Sequence, residues 1–257
     1  MKVTVLGCGP SGGVPLIGCQ CAVCQGSNLR NNRTRASILI ELGDAKLLVD
    51  TSPDLRQQAL RQDLSHLDAV LYTHAHADHT HGIDDLRSFN FHMKRAIPLY
   101  GSKETLDRLT QQFSYCFAPI RHGDNPAVPA LEVNFIEEYD YFQVAGVNIQ
   151  SFLQYHGKGK SLGYRIGNFA YSTDVDKLPE QSLQLLESLD VWLVDCLQYE
   201  PAPTHAHLAR TLEWVARLKP KRAILTHMTH VFDYERLCRE LPENCEPAFD
   251  GMEIDIA

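Results

Sequence analysis

The sequence predicts an α/β protein in which two mixed β-sheets pack face to face with helices outside. Three observations point there. Short β-branched runs outnumber helical ones, helical periodicity nonetheless recurs along the whole chain, and 257 residues with 44% hydrophobic content suffice for one large core. This composition, with a net charge of −8, excludes a disordered or collagenous chain.

Taken in order, residues 3–6, 37–41 and 46–50 read as strands, with Gly43-Asp44 turning the last two into a hairpin, and 68–72 follows. Helices are expected over 53–62, behind an N-cap at Ser52, and over 103–113 and 180–188. Between them lie strands at 97–100, 133–136, 141–144, 147–153, 162–166 and 169–172. In the last quarter, strands 191–194, 223–225 and 253–256 alternate with helices 208–218 and 234–240. No repeat or low-complexity linker divides the chain, so a single domain is expected over 1–257. The proline-containing segment 114–129 is expected to be a mobile surface loop.

No stretch approaches the ~20 apolar residues that span a bilayer. Residues 3–6 are far shorter than the apolar region of a secretory signal, so a cytoplasmic location without membrane contact is expected. Thiols stay reduced there, and clustered cysteines indicate metal or redox chemistry rather than disulfides. With 24 basic against 32 acidic residues, the balance argues against nucleic-acid binding.

Two motifs near the N-terminus are set aside. Gly7-Cys8-Gly9-Pro10-Ser11-Gly12 matches a dinucleotide-binding pattern, and Gly9-Pro10-Ser11-Gly12-Gly13 a nucleophile elbow, but both need a helix that Pro10, Gly13 and Pro15 forbid. A glycine-rich turn that lets two backbones approach closely is the simpler reading.

The 12 histidines and 8 cysteines are the unusual part of the composition. Behind the strand at 68–72 comes Thr73-His74-Ala75-His76-Ala77-Asp78-His79, in which ligating side chains alternate with small ones that leave room to converge on ions. This His-x-His-x-Asp-His run resembles the signature of the metallo-β-lactamase-fold hydrolases. The resemblance implies a four-layer αββα sandwich. It also implies that His74, His76 and His156 bind one divalent ion, that Asp78, His79 and His227 bind a second, and that Asp174 bridges them. Manganese or zinc would both suit such ligands. Two ions lower the pKa of a shared water and clamp the scissile group, so no serine or cysteine nucleophile is needed.

Cys19, Cys21 and Cys24 form a Cys-x-Cys-x-x-Cys set in a long loop over 18–35 that is expected to lack other structure. Three thiolates want a fourth ligand, and His230, three residues past His227, is the natural one for a structural zinc. That loop, the pair His227 and His230, and the ending Phe249-Asp250-Gly251-Met252 make the whole chain similar to the PhnP-type phosphoribosyl cyclic phosphodiesterases. The similarity implies hydrolysis of a small cyclic phosphodiester, such as 5-phosphoribosyl 1,2-cyclic phosphate, by a hydroxide bridging two metals, in an enzyme that forms a homodimer. It also implies catalytic roles for Asp78, which orients the hydroxide, and His205, which neutralises developing charge; His207 competes for the latter role. Lys158 and Lys160 flank His156, where a second phosphate would be drawn to them, although lysines in such a loop are ordinarily just solvated. His66, His81, His92 and His122 are read as surface or structural, and Cys8, Cys116, Cys196, Cys238 and Cys245 as buried thiols. Three other functions are open: a pyrroloquinoline quinone biosynthesis protein, a tRNA 3′-processing nuclease and a non-catalytic metal-stapled binding protein.

Overall fold

The computed structural model describes residues 1–117 and 129–256. The first half runs β1 (Lys2–Gly7), α1 (Ala22–Gln25), β2 (Ser37–Leu42), β3 (Ala45–Val49), α2 (Leu55–Arg61), β4 (Ala69–Leu71), α3 (Ala77–Thr80), α4 (Leu86–Met93), β5 (Ile97–Gly101), α5 (Lys103–Gln112) and β6 (Leu131–Phe135). The second runs β7 (Tyr141–Val144), β8 (Val147–His156), β9 (Gly159–Ile166), β10 (Phe169–Ser172), α6 (Glu180–Leu185), β11 (Val191–Asp195), α7 (Leu208–Leu218), β12 (Arg222–Thr226), α8 (Tyr234–Glu240), β13 (Cys245–Pro247) and β14 (Glu253–Asp255).

The strands form two mixed sheets, ordered β14-β1-β2-β3-β4-β5-β6 and β7-β8-β9-β10-β11-β12-β13. Read in those orders, each sheet is antiparallel through its first pairs and parallel through its last. The two sheets thus repeat one topology that no sequence repeat announces.

Period-two alternation builds the layers. Ile38, Ile40, Leu47, Val49, Ala69 and Leu71 point into the core shared with the second sheet. Their neighbours Leu39, Leu48, Val70 and Tyr72 face a second core closed by Leu55 of α2, Leu86 and Phe89 of α4, and Leu106 and Leu109 of α5. On the opposite side, Leu183 of α6 and Trp214, Val215 and Leu218 of α7 cover the second sheet. Each fully buried leucine contributes about 2 kcal/mol to this arrangement. The result is the four-layer αββα sandwich.

Several expected elements shift. The helix expected over 53–62 starts at Leu55, because Ser52 is buried and its Oγ accepts from the Asp54 N–H while donating to Gln58, so it does not cap. The helix expected over 180–188 stops at Leu185, and Ser188 takes φ 58°, which a right-handed helix cannot continue through. The cysteine loop is less bare than expected: Cys21 caps α1 by accepting from the Cys24 N–H. Of the expected loop over 114–129, Ser114–Phe117 form a 3₁₀ turn, and 118–128, with His122, lie outside the described residues. Cys238 is exposed, unlike the other four cysteines read as buried thiols. Among the described residues, no helix is long and apolar enough to cross a membrane.

The Gly7–Gly13 turn does bring two backbones together. A Cβ on Gly9 would stand 2.5 Å from the Arg33 carbonyl oxygen, closer than any side-chain carbon tolerates.

Candidate active site

One edge of the sandwich collects the ligating side chains. In the first sheet, β3 and β4 run parallel, so Asp50 after β3 and the run from His74 to His79 after β4 emerge together. In the second, β10, β11 and β12 are parallel, and Asp174, Asp195 and His227 stand at or just past their C-terminal ends. β8 is antiparallel to β9, which is antiparallel to β10, so β8 runs in the direction of β10 and delivers His156 to the same edge. His156 is the last residue of β8, three residues beyond the strand end the sequence predicted. Asp50, Asp174 and His227 all take positive φ (63°, 53° and 59°), a strained backbone for non-glycine residues, at the points where the chain leaves β3, β10 and β12.

Potential ligand atoms of His74, His76, His156 and Asp174 lie within 4.8 Å of one another, as do those of Asp78, His79, Asp174 and His227. The structure therefore brings together the seven side chains singled out in the sequence, with Asp174 common to both groups. The Nε2 atoms of His74, His79 and His227 are buried without a hydrogen-bond partner, yet stand 3.5, 3.0 and 3.3 Å from an Asp174 oxygen. Ring nitrogens that converge on one buried carboxylate without hydrogen-bonding one another describe a set of ligands to ions. Charge makes the same point. Asp50, Asp78, Asp174 and Asp195 are all buried, and histidines are the ion-pair partners found for them among the described residues. Buried carboxylates in such number require cations.

Hydrogen bonds set the ring orientations. His79 Nδ1 lies 2.7 Å from Asp50 Oδ2, and His156 Nδ1 lies 2.6 Å from the Thr204 carbonyl oxygen, so each ring presents Nε2 to the centre. Asp50 is itself pinned by the Thr73 N–H and hydroxyl at 2.9 and 2.8 Å. Burial pulls the His79 imidazole towards neutrality, but Asp174 and Asp50 on either side hold its pKa well above the ordinary range. Burial also raises Asp174, and its electrostatic interactions with His227, His79 and His74 more than offset this, leaving its pKa well below the usual carboxylate range.

His205 completes the site. Its Nδ1 lies 3.0 Å from Asp195 Oδ2, and its Nε2 lies 3.8 Å from Asp174 Oδ2. Burial lowers its pKa, but the Asp195 carboxylate more than offsets this and raises it to about 9. His207, the competitor left open by the sequence, instead occupies the N-cap position of α7, outside every cluster of ligating atoms found.

Asp50 and Asp195 were not singled out in the sequence, although a signal for them exists. Each directly follows a continuous apolar run, Leu47-Leu48-Val49 and Val191-Trp192-Leu193-Val194, at strand ends that point to the site. An acid in that position is buried and needs a partner.

Outside the pair of clusters, Cys19, Cys21, Cys24 and His230 also bring their ligand atoms within 4.8 Å of one another, a set that can hold zinc. His230 Nδ1 lies 3.4 Å from Cys21 Sγ and 3.6 Å from Cys19 Sγ. The Cys24 N–H and His230 lower the Cys21 thiol pKa to about 6, which favours the thiolate a metal needs. The fully buried Arg33 ties this loop to the turn that carries His230. Its guanidinium donates to the carbonyl oxygens of Thr229 and Phe232 at 3.0 and 2.8 Å.

A family model described as a β-lactamase superfamily domain matches residues 45–228, from β3 through His227. The chain belongs to this superfamily. Both the matched core and its metallo-β-lactamase fold agree with the seven-ligand geometry, while the cysteine loop and His230 lie outside the matched span. Those parts are covered by a solved structure described as a new diphosphatase of the PhnP family, 35% identical, with a TM-score of 0.92 over 100% of this chain and 98% of that one. The superfamily member thus resembles the PhnP group throughout its length. An octanoyltransferase of Porphyromonas gingivalis is 34% identical over 260 residues, covering all of this chain and 52% of that protein; the chain spans about half its length. Zinc-bound PqqB from Methylobacterium extorquens shares the fold, with a TM-score of 0.82 at 21% identity over the full length of both chains.

Two clefts bear on the site. One of about 490 Å³ is lined by His74, His76 and His156 together with α5 and the β8–β9 turn. A larger one of about 650 Å³ between α2 and α4 contains His66 and His92 but none of the ligand clusters, so the smaller cleft is the candidate substrate site.

Proposed function

We propose that this superfamily member is a metal-dependent phosphodiesterase that opens a small cyclic phosphodiester, such as 5-phosphoribosyl 1,2-cyclic phosphate, to a monoester. The observation that carries the reading is the convergence of the unpartnered Nε2 atoms of His74, His79 and His227 on one buried carboxylate, Asp174, beside a cleft of substrate size. His74, His76 and His156 would hold one divalent ion and Asp78, His79 and His227 the other, with Asp174 shared. When bound, two such ions supply an acidified water and neutralise the phosphoryl oxygens.

The chain's own residues do the remaining work. Asp78 lies beside His79 and His227, which hold its carboxylate in the anionic form against the opposing effect of burial, so it can orient the attacking water by accepting a hydrogen bond from it. His205, kept as an imidazolium by Asp195 and aimed through Nε2 at the Asp174 side, neutralises charge on the phosphoryl group and protonates the leaving alkoxide. Nothing in this scheme requires a serine or cysteine nucleophile.

The resemblance to the PhnP-family diphosphatase adds a second substrate class, because a P–O–P bond is broken by the same in-line attack. Elemental analysis coupled to assays on bis(p-nitrophenyl) phosphate, the ribosyl cyclic phosphate and a diphosphate tests both. Two divalent ions and one zinc per chain, with diester turnover abolished by a chelator, are expected. Full metal occupancy with no diester hydrolysed would overturn the phosphodiesterase reading, and turnover of the diphosphate alone would replace it with the second.

A further inference from the structure

We infer that Lys158 and Arg108 form a second anion-binding point in the active-site cleft, which takes a phosphomonoester group carried by the substrate at a distance from the reacting diester. This deepens the phosphodiesterase reading and relies on it for the position of the reacting phosphorus.

Backbone geometry fixes Lys158 relative to the metal-ligand cluster. His156 pairs with Gly159 across the β8–β9 hairpin, so Gly157 and Lys158 make up the entire turn. Gly157 takes φ +60°, its N–H donates to Asp176 Oδ1 at 2.9 Å, and a Cβ there would meet the Thr204 methyl at 2.7 Å. The turn is therefore clamped against the segment that carries Thr204 and His205, and Lys158 stands two residues from His156 on a rigid base. Arg108 reaches the same cleft from α5.

Charge accounting separates these two cations from their neighbours. Lys160 lines the cleft as well, but its Nζ is 2.8 Å from Glu138 Oε1. Lys103, on α5, is likewise paired, with Asp107 at 2.6 Å. Lys158 and Arg108 have no carboxylate partner among the described residues, although Glu104 shares the cleft. Both cations are solvent-exposed, so each is free to take an anion without giving up a partner in the protein. An ammonium and a guanidinium that line one cleft suit a phosphomonoester dianion, whose three oxygens offer acceptors to each. A cleft of about 490 Å³ has room for a sugar between that group and a diester at the histidines.

Calorimetric titration of the metal-loaded protein with ribose 5-phosphate and with ribose tests the point directly. The wild-type protein is expected to prefer ribose 5-phosphate. Lys158→Ala and Arg108→Gln should each weaken its binding by about tenfold, the loss of one charge-assisted contact. Lys160→Ala, already neutralised by Glu138, should leave it within about twofold. In parallel, the kcat/KM preference for 5-phosphoribosyl 1,2-cyclic phosphate over the unphosphorylated ribose cyclic phosphate should fall by at least tenfold in the double variant, through KM. Equal binding of ribose and ribose 5-phosphate by the wild type, or a double variant that binds as the wild type does, would overturn the inference. If the cation-dependent binding is found but no cyclic diester is opened, the anion point stands and the phosphodiesterase reading falls.

Discussion

His205 shows how a single side chain acquires a role from its partners. In isolation an imidazole is largely neutral at pH 7, but Asp195 raises this one to about 9 while fixing which nitrogen faces Asp174. His205→Ala should therefore lower kcat for diester hydrolysis by roughly 10²–10³-fold while metal content, read by elemental analysis, stays at the wild-type value. Unchanged turnover would remove His205 from the reaction. Asp50 acts one step further back, through His79. Replacing it by Asn keeps the shape but takes away the charge that orients the ring, and metal affinity measured against a competing chelator should fall about 10–100-fold. Equal affinity would show that the ring is held by packing alone.

At the scale of elements, the cysteine loop and the turn at 227–232 behave as one piece. Arg33 spans them from inside, and its replacement by Met would strand the Thr229 and Phe232 carbonyls it now satisfies. Urea unfolding of Arg33→Met should show a loss of roughly 2–4 kcal/mol; a loss under 1 kcal/mol would mean that the cysteine cluster alone holds the turn. Cys21→Ser should cost one equivalent of zinc and lower Tm, and retention of all bound metal would exclude the cysteine set as a metal site. Helices and strands differed in how far the sequence exposed them. Strands such as β2 and β3 were legible as short apolar runs on either side of the Gly43-Asp44 turn. The helix α4 was not, because Asn90 interrupts its apolar face; it is buried by donating to the Arg95 and Ala130 carbonyls and accepting from the Ala130 N–H, the latter pair of contacts made across 40 residues. β13 was hidden by Pro247, which is tolerated because the strand lies at the edge of its sheet.

For the molecule as a whole, the apolar core runs continuously between both sheets and out to α6 and α7. We accordingly expect residues 1–257 to unfold in one calorimetric transition, with equal van't Hoff and calorimetric enthalpies, and two resolved transitions would divide the chain into separate domains. The cleft that holds the ligands belongs to neither sheet alone: His74 to His79 come from the first, His156, Asp174 and His227 from the second. Assembly of the site is thus inseparable from packing of the sandwich. By itself, the sequence determined the kind of chemistry. Ligating atoms crowded behind one strand, and three thiols at metal spacing, have few other uses whatever surrounds them. Only the tertiary structure decided which acids orient which histidines, that His205 rather than His207 stands beside Asp174 and Asp195, and that Lys160 is paired with Glu138 while Lys158 is not. Those choices depend on contacts between residues far apart in the chain, and strand order and register set such contacts where local pattern carries no trace of them.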